Sequence, residues 1–143
     1  MLPRHRLRQI VNYVNLATPL GLLVAFVGRA NFTRVENGLI VAEGYRYAFP
    51  KAGAFTVGNV IITRATIARL RARWPDIVAH EAAHSSQWAW LGPLFLPLYL
   101  GWTTWSSFRT GDRASRNYLE RWAGLTRGGY TEHPIRRLWI RHK

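Results

Sequence analysis

The stretch PDIVAHEAAHSSQWAWL, residues 75–91, decides how the rest of the chain is read. Pro75 suits the first turn of a helix, where no amide donor is needed, and Asp76 suits the positive end of the helix dipole. No breaker follows until Gly92-Pro93, so the pattern predicts one helix that stops there. Inside it lies His80-Glu81-Ala82-Ala83-His84, an H-E-x-x-H motif. Residues four apart share a helix face, so both imidazoles can reach a single ion. Glu81 is turned about 100° from His80 and stands beside that ion rather than on it. A base acting on a metal-activated water belongs there. The plainer reading of the same residues is a pair of helix-face histidines bonded to backbone or water.

Two histidines do not close a site, because tetrahedral zinc with one open position needs a third protein ligand. The choice is narrow. The chain has five histidines and seven acids, and downstream of the motif only Asp112, Glu120, Glu132 and His133 stand out. Asp112 reads as the N-cap of a helix over Arg113–Leu125 that ends near Gly128-Gly129. Glu132 and His133 follow those glycines in a loop. Glu120 alone is placed mid-helix, with Ala123 and Gly124 small enough to let a second helix approach the first, so it is the preferred ligand. An i, i+4 pairing with Arg116 is its competing use, worth only about 0.3 kcal/mol. Gln87, one turn past His84, is placed to support a ligand or to cap local backbone.

Working outward, the fold class is α+β: a small N-terminal sheet or hairpin, then the H-E-x-x-H helix, then a second ligand-bearing helix. Arg34-Val35-Glu36 and Leu39-Ile40-Val41-Ala42 flank Asn37-Gly38, the signature of a hairpin with a tight turn. AFTVGNVIIT, residues 54–63, is rich in β-branched and aromatic residues and reads as one strand. Arg64–Trp74 reads as a short basic helix. The last fourteen residues fit either a surface arm or a short terminal helix. With 143 residues and 48% apolar content the chain has the length of a single domain with one modest core.

Cysteine is absent, which excludes disulfides, thiolate metal sites and a cysteine nucleophile. Twenty basic residues against seven acids give +13, a balance suited to phosphates, nucleic acid or an anionic lipid surface. Near the N-terminus an apolar stretch, Leu16–Gly28, follows Arg4, Arg6 and Arg8, but Pro19, Gly21 and the nearby Asn12 and Asn15 argue against a cleaved signal peptide. Trp88–Phe108 runs twenty-one residues without a charge. Its prolines and glycines at 92, 93, 97 and 101 predict a broken hydrophobic segment, a cleft wall or a membrane-surface element rather than a span. The expected location is the cytoplasm, with peripheral contact to an anionic membrane.

HEAAH followed by Leu119-Glu120-Arg121-Trp122-Ala123 resembles the gluzincin pattern of zinc metallopeptidases, H-E-x-x-H on one helix and Glu-x-x-Ala on the next. The longer run from AFTVGNVIIT through NYLERWAGL is similar to short bacterial proteins of that type, over about two thirds of the chain. The resemblance implies zinc held by His80, His84 and Glu120, with Glu81 as general base and acid, and a peptide or protein substrate. It also implies that the strand before the motif helix, Phe55–Thr63, borders the cleft and pairs with extended substrate. Most gluzincins carry a larger C-terminal subdomain than this chain does. A donor for the oxyanion would come from Tyr118, Tyr130 or His133, of which Tyr130 and His133 lie on the glycine-hinged loop. Two other functions compete. One is a nucleic-acid-binding or membrane-binding module, with arginines at 64, 69, 71 and 73 beside Trp74 and at 113, 116 and 121 beside Trp122, although no helix-turn-helix, zinc-finger or RNP signature is present. The other is a zincin-like scaffold that binds metal and hydrolyses nothing.

Overall fold

The computed structural model describes residues 2–48 and 53–137. It is α+β, and the order of elements follows the order of hydrophobic patterns along the chain. Two helices come first, α1 (Pro3–Val14) and α2 (Ala17–Val27). Strands β1 (Asn31–Arg34) and β2 (Ile40–Glu43) pair antiparallel across Asn37-Gly38. Both turn residues have positive φ, 59° and 74°, which is why Asn-Gly occupies this place. The predicted hairpin is therefore present, its first strand starting earlier than the sequence indicated.

The run 54–63 is not one strand but a second hairpin, β3 (Ala54–Val57) and β4 (Val60–Thr63). Gly58-Asn59 turns it. Gly58 has φ +62°, and a Cβ there would sit 2.4 Å from the Thr18 backbone nitrogen, so only glycine fits. β2 pairs parallel with β4, giving the sheet order β1-β2-β4-β3 with β3 at an edge.

β4 is buried throughout and its alternation feeds two cores. Val60 and Ile62 join Ala42, α2 and Trp88 on one side, while Ile61 joins Leu39 and Val41 on the other. That second core is closed by α3 (Ile67–Arg73) and by the start of α4 (Ile77–Leu91), the motif helix. α4 ends as predicted, where Gly92 takes φ +55° and a 3-10 turn, Gly92–Leu94, leads into α5 (Phe95–Thr110). The uncharged segment is thus broken at 92–94, while Gly101 is carried inside α5.

A buried polar network fixes α1 to this frame. Asn12 Nδ2 donates to Asn59 Oδ1 (3.0 Å) and to the Ser85 carbonyl (2.9 Å), and the Asn59 amide donates to Thr18 Oγ1 (3.1 Å). Asn12 and Asn59 are fully buried, so these bonds replace lost water and tie α1, α2, the β3–β4 turn and α4 together.

The helix that carries Glu120 is shorter than the sequence indicated. α6 spans only Tyr118–Ala123, and its N-cap is Asn117, whose Oδ1 accepts from Leu119 N (3.0 Å) and Glu120 N (3.4 Å). Asp112 instead closes a local turn, accepting from Ser115 N (2.8 Å) and Ala114 N (3.2 Å). Residues 130–137 form neither helix nor strand, and the rest of the last fourteen lies outside the described residues. No single described helix is long and apolar enough to cross a membrane; α1 and α2, bent by 72° to each other, pass that test only as a pair.

Candidate metal centre

α4 carries the motif along the edge strand β3, and α6 crosses close to it. His80, Glu81, His84 and Glu120 are all buried. His80 Nε2, His84 Nε2 and Glu120 Oε2 form a small triangle, with separations of 3.2 Å between the two nitrogens and 3.1 and 3.3 Å from each to the carboxylate. The three residues can hold a metal ion.

The partners of the other ring nitrogens set the tautomers. His80 Nδ1 lies 2.9 Å from the Gly124 carbonyl, which can only accept, so Nδ1 carries the proton. Gln87 Nε2 donates to the Leu119 carbonyl (2.8 Å), which leaves its Oε1 to accept from His84 Nδ1 (2.9 Å). Both Nε2 lone pairs therefore converge on a carboxylate oxygen. Three acceptors crowded in a dry pocket repel unless a cation lies between them. In the metal-free chain a proton takes that part. Burial opposes a charge on His84, but the hydrogen bond and charge of Glu120 overcome it and raise His84 to about 9. Burial likewise works against the Glu120 carboxylate, yet its bonds with His80, His84 and Tyr99 hold it well below the usual carboxylate range.

Small residues make the approach of α6 possible. Ala123 is buried and Gly124 supplies the carbonyl to His80. Gly128, in the 3-10 turn Thr126–Gly128, lies against the same ring, so that a Cβ there would fall 2.5 Å from His80 Cε1.

Glu81 does not join the triangle. Its Oε2 accepts from Thr56 Oγ1 on β3 at 2.6 Å, which aims the carboxylate along the edge strand. His80, Glu81, His84 and Glu120 all line a cleft of about 470 Å³ walled mostly by apolar groups, among them Phe55, Trp88, Phe95 and Tyr99. β3 borders this cleft, and its Thr56 carbonyl is already taken by Trp88 Nε1 (2.8 Å).

Of the three candidate oxyanion donors, Tyr130 lines the cleft, its ring 6.0 Å from that of His80. Burial, then the charges of Glu120 and Glu81, push the Tyr130 hydroxyl up, so it stays protonated. His133 is not brought to the cleft; it is exposed, and its backbone amide donates to Ser115 Oγ (2.8 Å). Tyr118 is exposed against Trp102. Glu132 is also outside, paired with Arg121 at 2.6 Å.

Two residues of the site carry no sign of their role in the sequence. Tyr99 donates its hydroxyl proton to Glu120 Oε1, and Thr56 holds Glu81. Tyr99 sits within the uncharged segment and Thr56 within a strand, and neither position has a local signal for its partner. The chain matches no family model, no curated protein and no solved structure.

Proposed function

We propose that the chain is a zinc-dependent metallopeptidase of gluzincin type, with His80, His84 and Glu120 as ligands. The observation that carries this reading is the triangle of converging donor atoms with a second, separately held carboxylate beside it. Zinc bonds to nitrogen and oxygen ligands are about 2.0–2.1 Å, which makes the edge of a tetrahedral site about 3.3 Å. The separations of 3.1 to 3.3 Å suit a face of such a tetrahedron, and two imidazoles with one carboxylate suit zinc. When bound, zinc supplies a Lewis acid for the scissile carbonyl and brings the pKa of its water near neutrality.

The remaining work falls to the chain itself. Glu81, held by Thr56, accepts a proton from the attacking water and passes it to the leaving amine as the carbon–nitrogen bond breaks. Tyr130, kept protonated, donates a hydrogen bond to the oxygen that gains charge. The edge of β3 pairs with an extended backbone and lays the scissile bond across the cleft; with the Thr56 carbonyl occupied by Trp88, pairing falls toward Ala54. The apolar walls exclude water and favour large apolar side chains flanking that bond.

The test combines metal content with hydrolysis of a quenched-peptide library. The wild-type chain is expected to bind one zinc and cleave, and Glu81→Gln to keep the zinc and lose cleavage by at least about a thousandfold. One zinc per chain persisting in a His80→Ala, His84→Ala double variant would exclude the site. Zinc binding with no cleavage of any peptide would leave a metal-binding scaffold and refute the peptidase.

A further inference from the structure

α2 is packed the wrong way round for a helix that faces water. Its buried side consists of Ala17, Thr18, Gly21 and Ala25, and Gly21 is pressed so close to the sheet that a Cβ would lie 2.4 Å from the Val57 carbonyl oxygen. Its large side chains point outward. Leu16, Leu20, Leu23 and Val27 recur at helical spacing on the exposed side, and Phe26 is 72% exposed. The helix contains no charged residue. Across the cleft, α5 buries Phe95 but also leaves large apolar side chains outside: Leu96, Leu98, Leu100, Trp105 and Phe108 are exposed, and Arg109 leans over the Trp105 ring at 5.6 Å. Leu20 and Val24 of α2 and Leu96 and Leu100 of α5 line the same cleft, so the two apolar faces form its rim.

Beside this rim lies a second cavity of opposite character. It holds about 600 Å³ and is lined by Arg46, Arg64, Arg69 and Arg73, with no acid among its lining residues. Tyr45 belongs to the walls of both cavities, and the Arg46 amide donates to the Gly28 carbonyl at the C-terminal end of α2. None of the four arginines pairs with a carboxylate among the described residues. Arg29, exposed, follows the Gly28 cap of α2.

We infer that the exposed faces of α2 and α5 dock the protein on an anionic lipid bilayer, with the four-arginine cavity receiving an anionic headgroup. The apolar area alone would not name the occupant; the unpaired positive charge next to it does. Apolar side chains at the acyl boundary and arginines at the headgroup layer are the two contributions that hold a protein in the plane of a membrane. Trp102 and Trp105 of α5, both exposed, fit the same interface, where an apolar ring and a polar tip are both satisfied. Docked in this way, the mouth of the metal cleft faces the lipid. Docking of this kind does not depend on hydrolysis, because the surfaces involved exclude the metal ligands and Glu81.

The experiment is flotation of the full chain with vesicles of phosphatidylcholine alone and with phosphatidylglycerol added. Binding is expected to the anionic vesicles and to be weak on the neutral ones. Leu23→Ser with Phe26→Ser, and separately Leu98→Ser with Trp105→Ser, should each lower binding about tenfold. Arg46→Gln and Arg69→Gln should each lower it about fivefold at low salt. These positions are outside the metal-bearing cleft lining except as neighbours, so zinc content and circular dichroism of each variant report whether it is folded. Failure to float with anionic vesicles overturns the inference. So does wild-type binding by the Leu23→Ser, Phe26→Ser variant, which would leave charge alone as the cause. A chain that survives an alkaline wash would be a membrane span instead of a docked protein. Dimers that dissolve in the serine variants without any vesicle binding would assign the face to a second copy.

Discussion

Glu120 meets the two imidazoles through one oxygen and Tyr99 through the other, so both ends of its carboxylate are occupied. Removing it leaves two histidines and an unpaired hydroxyl. Glu120→Ala should weaken zinc binding by orders of magnitude and Glu120→Gln by less, while Glu132→Ala, on an exposed ion pair, should change it little; competition with a chromogenic chelator reads all three. Gln87→Ala removes only the group that orients His84, and a loss of about 10- to 100-fold in affinity is expected. The same residues set a pH dependence whose sign differs with and without metal. His84 in the metal-free chain is raised from 6.5 to about 9, so its contribution to stability is complete below 6.5 and is lost as pH rises toward 9. Glu120 is lowered, so its contribution is present above the ordinary carboxylate range and is lost only in acid. Metal uptake must displace the His84 proton and therefore strengthens as pH rises. Thermal unfolding with chelator should show a falling Tm between pH 6.5 and 9, and the gain on adding zinc should grow over that window. A gain that shrinks would show that no imidazole proton is released.

Among the elements, α6 and the turn after it depend on contacts rather than on length. Gly128→Ala would force the His80 ring to shift and should cost zinc affinity without replacing any of the three donor residues, a result calorimetry can separate from a loss of fold. Asn117→Ala removes the cap of α6 and the bond from Asn117 Nδ2 to Thr103 Oγ1 (3.0 Å), at a cost of about 1–2 kcal/mol in urea unfolding. The same elements mark how far the sequence could be read. H-E-x-x-H fixes its geometry within one helix, and the scarcity of acids left Glu120 nearly alone, so the meeting of His80, His84 and Glu120, a group that can hold a metal ion, was legible. The Gly58 turn was not, because the β-branched residues around it outweighed one glycine and one asparagine in a ten-residue run. Asp112 looked like a helix cap since its local pattern is the same for a turn and for a helix start. A distant hydroxyl, Ser106 Oγ, decides between the two by accepting from Arg116 N (2.7 Å). α1 and α2 went unassigned as helices for a similar reason. Asn12 and Asn15 read as polar interruptions in an apolar stretch, yet Asn12 is the centre of a buried network and Asn15 Nδ2 donates to the Trp88 carbonyl at 3.1 Å. Thr56 and Tyr99 find their partners only through the packing of distant segments.

At the scale of the whole molecule, the frame is held from two directions. The Asn12–Asn59–Ser85 network joins the N-terminal helices to the turn and to α4, and Asn59→Ala should destabilise the chain by about 2–3 kcal/mol, because it leaves the buried Ser85 hydroxyl without its acceptor and takes one acceptor from Asn12 Nδ2. On the other side, α6 is six residues long, well short of the length at which a helix stands by itself in water. Besides the packing of Leu119 in the core and the Asn117 bond to Thr103, it stays in place through Glu120, the Gln87 bond to the Leu119 carbonyl and the Gly124 bond to His80, which run to the triangle of donor atoms or to the residues that hold it. The ion would accordingly act as a rivet that fastens the C-terminal third to the rest. Stripping it should make residues 112–137 the first region to exchange amide hydrogens and the first to be cut by an added protease, with the sheet and α4 still closed, so that loss of metal leaves a nicked chain rather than an unfolded one.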